Sequence, residues 1–297
     1  MGDLEHSRVV LVDKPDGWTS FQVVRHVRAL AGRKAKVGHA GTLDPFATGL
    51  LLVLVGQATR VSHLLMELPK EYLVTAQFGV VSSTQDCTGT LTPTAGEVTA
   101  VAVETALAGF RGTVVQRVPM TSAVKKNGVR LYRLAHKGIE VETPEREVTV
   151  HELTLQEFDE RTQRAVLRAR TSKGTYVRTL VHDLGAVLGP GAYAAALRRT
   201  QVGPFRVQDA VAPETLTGEA LCSEGAAVKT LSQALAFIPL YEVAGDDAFR
   251  VAHGGALRGA PEGRILVDGP EGLLGVYEGR LGGESRPLLV FSTAQGR

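Results

Sequence analysis

The chain has 297 residues, 44% of them hydrophobic and 22% charged, with a formal net charge of +2. That balance argues for an ordinary folded protein of one large domain, or a large and a small one, and against a disordered chain. No apolar run approaches the ~20 residues needed to span a bilayer. The N-terminus lacks the basic-then-apolar pattern of a secretory signal, and His6 stands where a myristoylation signal needs Ser or Thr. Cys87 and Cys222 are too few for a disulfide framework or a Cys-based zinc site, which points to the cytoplasm.

In chain order, Val9–Val12 is a short apolar run ended by Asp13-Lys14-Pro15-Asp16-Gly17, which predicts a strand and a turn. Thr19 and Ser20 are N-cap candidates for a helix in which Phe21, Val24, Val27 and Leu30 recur at helical spacing and which Gly32 ends. Gly49–Val55 is short, continuous and partly β-branched, the pattern of a fully buried strand. Val61–Leu68 suits a short helix. Glu71–Val80 suits a strand with Tyr72, Val74, Ala76 and Phe78 on one face and Leu73, Thr75 and Gln77 on the other. Glu97–Phe110 reads as an amphipathic helix closed by Gly109 and Gly112.

Val148–Phe158 and Ala165–Thr171 alternate as paired strands do. Tyr176–Leu188 is helical with Gly189-Pro190-Gly191 as its stop, and Ala192–Val202 follows as a short segment ended by Gly203-Pro204. After about Leu240, Gly254-Gly255 and Gly282-Gly283 separate apolar runs at Arg264–Val267, Leu273–Tyr277 and Leu288–Phe291, which reads as a small all-β appendage. Strands and helices mix without a regular βα period, so the fold class is α+β.

The small net charge hides a segregated pattern. Arg25, Arg28, Arg33, Lys34 and Lys36 fall between Gly17 and Leu43 with no acid among them. Arg117, Lys125, Lys126, Arg130, Arg133 and Lys137 do the same between Gln116 and Gly138. Arg161, Arg164, Arg168, Arg170, Lys173 and Arg178 repeat it up to His182. Acids gather elsewhere, in Glu140–Glu160 and Asp209–Asp247. A positive face on a near-neutral chain suits a polyanion such as nucleic acid; solvated helix faces and strand edges are the plainer explanation.

Common cofactor and nucleophile motifs are missing. There is no Gly-x-x-x-x-Gly-Lys-Ser/Thr loop, no Gly-x-Gly-x-x-Gly after a strand, no Gly-x-Ser-x-Gly elbow and no His-Glu-x-x-His pair. What stands out is GHAGTLDPFATGLLLVLVG, from Gly38 to Gly56, where one acid, Asp44, sits in a glycine-broken loop against an apolar run. Alone, an aspartate before Pro45 also fits an Asx-turn or a helix cap. A carboxylate, aromatics and many arginines suit chemistry on a nucleotide with neither metal nor cofactor.

This stretch resembles the signature loop of the TruB-type pseudouridine synthases, which isomerise uridine in the T arm of tRNA. Further blocks match in the family's order over about Asp13–Phe205. Asp13-Lys14-Pro15 resembles its N-terminal Lys-Pro turn, and Lys70-Glu71-Tyr72 the strand with its active-site tyrosine. Pro119, Ser122-Ala123-Val124-Lys125, Gly128 and Tyr132 resemble the loop that folds over RNA. Ser172-Lys173-Gly174-Thr175-Tyr176-Val177-Arg178 resembles its Ser-x-Gly-x-Tyr-x-Arg segment, and Leu197-Arg198-Arg199-Thr200 with Gly203 and Phe205 a further block. Val118 replaces the first of two usual prolines, and Ala135-His136 stands for Ala-Arg. Both touch loop packing or phosphate contacts rather than the chemistry.

The resemblance implies a pseudouridine synthase fold, a mixed and mainly antiparallel sheet flanked by helices, over residues 1–237, with a thumb-like loop at about 116–138. It implies a small PUA-like RNA-binding domain over 238–297. Asp44 would be the catalytic carboxylate, attacking C1′, adding to the ring or taking a proton from C2′. Arg178 would pair with Asp44, and Tyr72 would stack on the uracil with its hydroxyl near C5. The target base must be flipped out of its stack. His39, at the loop tip, would replace or stack on it, and Tyr176 and Leu197 would line the base pocket. Lys14 would bind phosphate or orient the loop, and Lys125 would serve the thumb's RNA contacts. The expected partner is the tRNA T stem-loop, bound by a monomer without guide RNA, membrane or cofactor. A tRNA-folding chaperone and a guide-dependent synthase are the competing readings.

Overall fold

The computed structural model describes residues 7–291 except 33, 136 and 282. The expectations placed on the first six residues, Arg33, His136 and Gly282 therefore lie outside the described residues.

A ten-stranded mixed sheet forms the body. Its strands are β1 (Arg8–Lys14), β2 (Val37–His39), β3 (Thr48–Val55), β4 (Lys70–Phe78), β7 (Gly112–Arg117), β10 (Glu145–Asp159), β11 (Arg164–Thr171), β12 (Ala192–Val202), β13 (Phe205–Arg206) and β14 (Val228–Lys229). The order is β14-β1-β3-β12-β4-β11-β10-β7, with β2 paired to β3 and β13 to β12. Every pairing is antiparallel except β3 with β12. Two short ribbons stand off the sheet, β5 (Val80–Ser82) with β6 (Leu91–Pro93) and β8 (Lys125–Lys126) with β9 (Val129–Arg130).

The continuous apolar run of β3 has a direct cause. Leu51, Val53 and Val55 point into one core, with Val23, Val24 and Val27 of helix α1 (Ser20–Ala31). Leu50, Leu52 and Leu54 point into a second core on the opposite face, with Leu64 and Leu65 of helix α2 (Ser62–Glu67). A strand covered on both faces has no polar face to show. Each buried Leu adds about 2 kcal/mol of transfer free energy. β4 alternates as the sequence predicts: Tyr72, Val74, Ala76 and Phe78 are buried, and Leu73 is partly exposed.

Helix α1 starts at a capping box, Thr19 with Gln22, but Phe21 is 64% exposed, so the apolar stripe runs through Val23, Val24 and Val27 instead. Helix α3 (Ala100–Leu107) is capped by Thr99, so it is shorter than the periodicity of Glu97–Phe110 predicts. Helix α4 (Leu131–Ala135) follows the β8–β9 ribbon, and α5 (Val177–Leu188) packs beside β12. The Ala-rich stretch Ala192–Val202, for which the sequence pattern gives only an end, is an 11-residue central strand. Pairing on both sides overrides its weak strand propensity.

After α6 (Leu231–Ala234) the C-terminal sheet runs in the order β15 (Leu240–Glu242), β17 (Gly263–Gly269), β18 (Gly272–Gly279), β19 (Glu284–Val290), β16 (Leu257–Arg258). It also carries a helix, α7 (Gly245–Ala252), absent from the all-β expectation. Asp246, Asp247 and Arg250 give this helix a polar surface, and only its Val251 is buried, so little apolar periodicity marks it. The sheet is fastened to the body through Leu266, Leu273, Val276 and Phe291, which share the second core with β3 and α2.

Candidate active site

The loop joining β2 to β3 carries Asp44, and the chain fastens it at successive points. Arg199 Nη2 donates to Gly41 O at 3.0 Å. Ser20 Oγ donates to Leu43 O at 3.0 Å and accepts from Leu43 N at 2.9 Å. Lys14 Nζ donates to Pro45 O at 3.0 Å, and Gly17 N donates there at 3.1 Å. Gly41 has φ of +96°, a conformation that favours glycine. Gly49 has φ of +100°, and a Cβ there would lie 2.3 Å from Arg199 O, so this close approach of β3 and β12 needs a bare backbone.

Arg178 lies in the first turn of α5, 2% exposed. Its Nε is 3.1 Å from Asp44 Oδ2, a close ion pair whose angle falls outside that of a directed hydrogen bond. Its Nη1 donates to Asp86 Oδ2 at 2.8 Å and to Thr121 Oγ1 at 2.7 Å, and its Nη2 to Thr121 O at 3.0 Å. Asp86 is fixed in turn by the Thr84 and Thr88 hydroxyls, at 2.7 and 2.5 Å. One guanidinium therefore bridges two carboxylates. Burial tends to push Asp86 up, but the Thr88 and Thr84 hydrogen bonds and Arg178 outweigh it and hold Asp86 below the usual carboxylate range. For Asp44 burial wins: its pKa is raised, Arg178 and Lys14 opposing and Asp86 adding to the rise.

Asp44 keeps 32% of its side chain open, facing a cavity of about 650 Å3. Tyr72, Tyr176, Leu197 and Arg178 line the same cavity, so the β2–β3 loop, β4, the start of α5 and β12 bring these expected site residues together. Ser122, Ala123 and Val124, just before the β8–β9 ribbon, form part of the wall, and cations dominate the polar lining: Lys70, Arg146, Lys173, Arg178 and Arg199 against Asp44 and Glu147. Buried Gln116 pins Tyr176 from both sides, accepting from its N at 3.0 Å and donating to its O at 3.1 Å.

Three expected residues fall elsewhere. Lys14 is fully buried and donates to three carbonyls, those of Pro15, Trp18 and Pro45, contacts that suit orienting the loop rather than binding a phosphate. Its burial lowers its pKa to about 8. His39 is not at a loop tip: it ends β2, opposite Val53, outside the cavity lining, with its pKa lowered by burial and by Arg199. Lys125 is exposed on the β8–β9 ribbon, next to the wall residue Val124 but not itself in the lining, beside a turn in which Asn127 and Gly128 both have positive φ.

Asp86, Gln116 and Thr121 do not stand out in the sequence. Asp86 lies in the polar run Ser82-Ser83-Thr84-Gln85-Asp86, which looks like any loop. The available signal was Arg178 itself, a buried cation with too many donors for one carboxylate.

Comparison with known proteins identifies the family. Residues 28–177 match the model of the TruB family pseudouridylate synthase N-terminal domain, and 178–236 that of the tRNA pseudouridylate synthase B C-terminal domain. Relatives named tRNA pseudouridine synthase B include one from Thermobifida fusca, 41% identical over 96% of this chain and 98% of its own. Another, from Azoarcus sp., is 38% identical over 97% of this chain and 96% of its own. A chain in the crystal structure of a Cbf5-Nop10-Gar1 complex, 23% identical, superposes with a TM-score of 0.74 over 97% of this chain and 85% of that one, a likeness of fold. By matched domains and by near full-length relatives, this chain belongs to the TruB family of pseudouridylate synthases.

Proposed function

We propose that the chain isomerises uridine 55 in the T arm of tRNA to pseudouridine, as a monomer in the cytoplasm and without cofactor, metal or guide RNA. The observation that carries this reading is Asp44, held 3.1 Å from Arg178 on the floor of a cavity large enough for one flipped nucleotide. The reaction breaks N1–C1′, turns the base, joins C5 to C1′, releases the C5 proton to solvent and protonates N1, so the product is an isomer of the substrate. Ionised Asp44 supplies the carboxylate, at C1′, at the ring or at C2′. Arg178 keeps it ionised and aimed, which is where preorganisation lowers the barrier.

Tyr72 walls the uracil pocket with Leu197 and Tyr176, in reach of the C5 edge. The cationic lining takes the phosphates beside the flipped base, and the thumb segment, with Lys125, closes over the RNA. Residues 1–237 form the catalytic unit and 238–297 a PUA-like unit that extends the RNA surface. The test is tritium release from tRNA labelled at uracil C5, since the product has the mass of the substrate. Release by the wild type and none by Asp44→Asn is expected, on full tRNA and on a bare T-arm stem-loop. No release by either, with tight salt-sensitive tRNA binding by both, would leave a tRNA-folding chaperone.

A further inference from the structure

A second hollow, of about 390 Å3, opens at the other end of the β1–β3 pair. Lys14 lies opposite Gly49 at the Asp44 end, and Arg8 lies opposite Val55 at the far end. Six strand steps of about 3.3 Å separate those ends by about 20 Å. The volume lies in the range of small-molecule sites, roughly 300–1,000 Å3.

Its chemistry is one-sided. Arg8, Lys34, Lys36 and Arg60 line it, and no Asp or Glu does among the described residues. Arg8 Nη1 donates to Ser7 O at 3.1 Å, but Arg8 Nε is buried with no hydrogen-bond partner. A buried charged donor left unsatisfied is a cost that an anion beside it removes. The apolar part of its lining is Leu30 and Ala31 of α1, Val55 of β3 and Leu221. Cations without carboxylates select an anion; the apolar wall selects one that carries a flat, uncharged body.

We propose that this hollow binds a nucleotide, its phosphate on Arg8 and the two lysines and its base against Leu30 and Leu221. The nucleotide is either free in solution or one residue of an RNA bound to the same protein. The site does not rest on the isomerase reading, because nothing in the hollow touches the Asp44 loop's hydrogen bonds.

The experiment titrates the full chain at low salt with AMP, UMP and inorganic phosphate by calorimetry, with tRNA binding in parallel. It compares the wild type with Lys34→Ala/Lys36→Ala, which removes two exposed cations, and with Ala35→Trp, which fills the hollow and keeps every charge. For a free nucleotide, AMP or UMP binds more tightly than phosphate, and both variants weaken it about tenfold. For an RNA residue, mononucleotides do not register. Both variants then weaken tRNA about tenfold, and the lysine variant flattens the salt dependence by about 1–2 in log–log slope. Unchanged binding of every probe by both variants overturns the proposal. So does any loss confined to the lysine variant, which would reduce the hollow to a charged surface. None of these readouts uses isomerase activity, so a failure here is separable from a failure of the proposed function.

Discussion

Replacing Arg178 by Met tests whether one guanidinium serves both carboxylates. The two ion pairs, at 3.1 Å to Asp44 and 2.8 Å to Asp86, are worth about 5 and 6 kcal/mol of gross attraction at an effective dielectric of ~20. Desolvation of the buried charges offsets most of this, and removing one partner of such a pair costs about 3–5 kcal/mol because its carboxylates stay behind. Arg178→Met is therefore expected to lower the urea unfolding free energy by about that amount. It also leaves Asp44 facing Asp86 with no cation between. Asp44 is already raised by burial, and the proposed mechanism uses it ionised, so activity is expected to rise with pH through its pKa. Losing even a third of the Arg178 attraction moves that rise upward by at least about one pH unit. The assay is single-turnover tritium release from pH 5 to 9, with unfolding measured at pH 7. Arg178→Met with Asp86→Asn should recover part of the stability and move the acid limb part of the way back, since Asp86 adds to the rise of Asp44. A variant with the wild-type acid limb and wild-type unfolding midpoint would refute the bridge.

Three further outcomes follow from the same geometry. Because the folded pKa of Asp44 is raised above its unfolded value, its contribution to stability is present below about pH 4 and lost as pH rises through the folded value. Asp44→Asn should thus abolish isomerisation without lowering the melting midpoint at pH 8, and a fall of more than about 5 °C would sink this. Lys14→Met should cut kcat by about tenfold or more by loosening the Asp44 loop while leaving tRNA affinity unchanged; a loss of affinity would restore the phosphate role. Gly49→Ala forces a left-handed φ and a backbone collision with Arg199, which should destabilise by at least about 2 kcal/mol in thermal unfolding.

Much of the architecture was legible because local pattern and tertiary environment agree. The run Leu50–Val55 reads as a buried strand and is one, because each of its two faces meets a core. The same agreement holds for the Thr19 cap, the alternation of β4 and the Gly189-Pro190-Gly191 stop before β12. Asp44 was legible as a lone acid in a glycine-broken loop, where Gly41 takes a left-handed φ and Gly49 lets β3 approach β12 closely.

What only the tertiary structure decided depends on contacts far apart in the chain. Asp86 reaches Arg178 across 92 positions, and no local pattern marks it. Lys14 looks like a surface cation beside a turn; only the assembled loop, offering three carbonyls, makes burying it tolerable. Arg199 sits in an Arg-rich strand whose sequence cannot say which arginine turns inward, yet it is 1% exposed and ties Gly41 and Leu50 to β12. The sequence by itself determined which segments form strands and helices and which acid is unusual. The fold alone determined how that acid is held, because a carboxylate's charge state and aim are set by neighbours that meet it only once the sheet has closed.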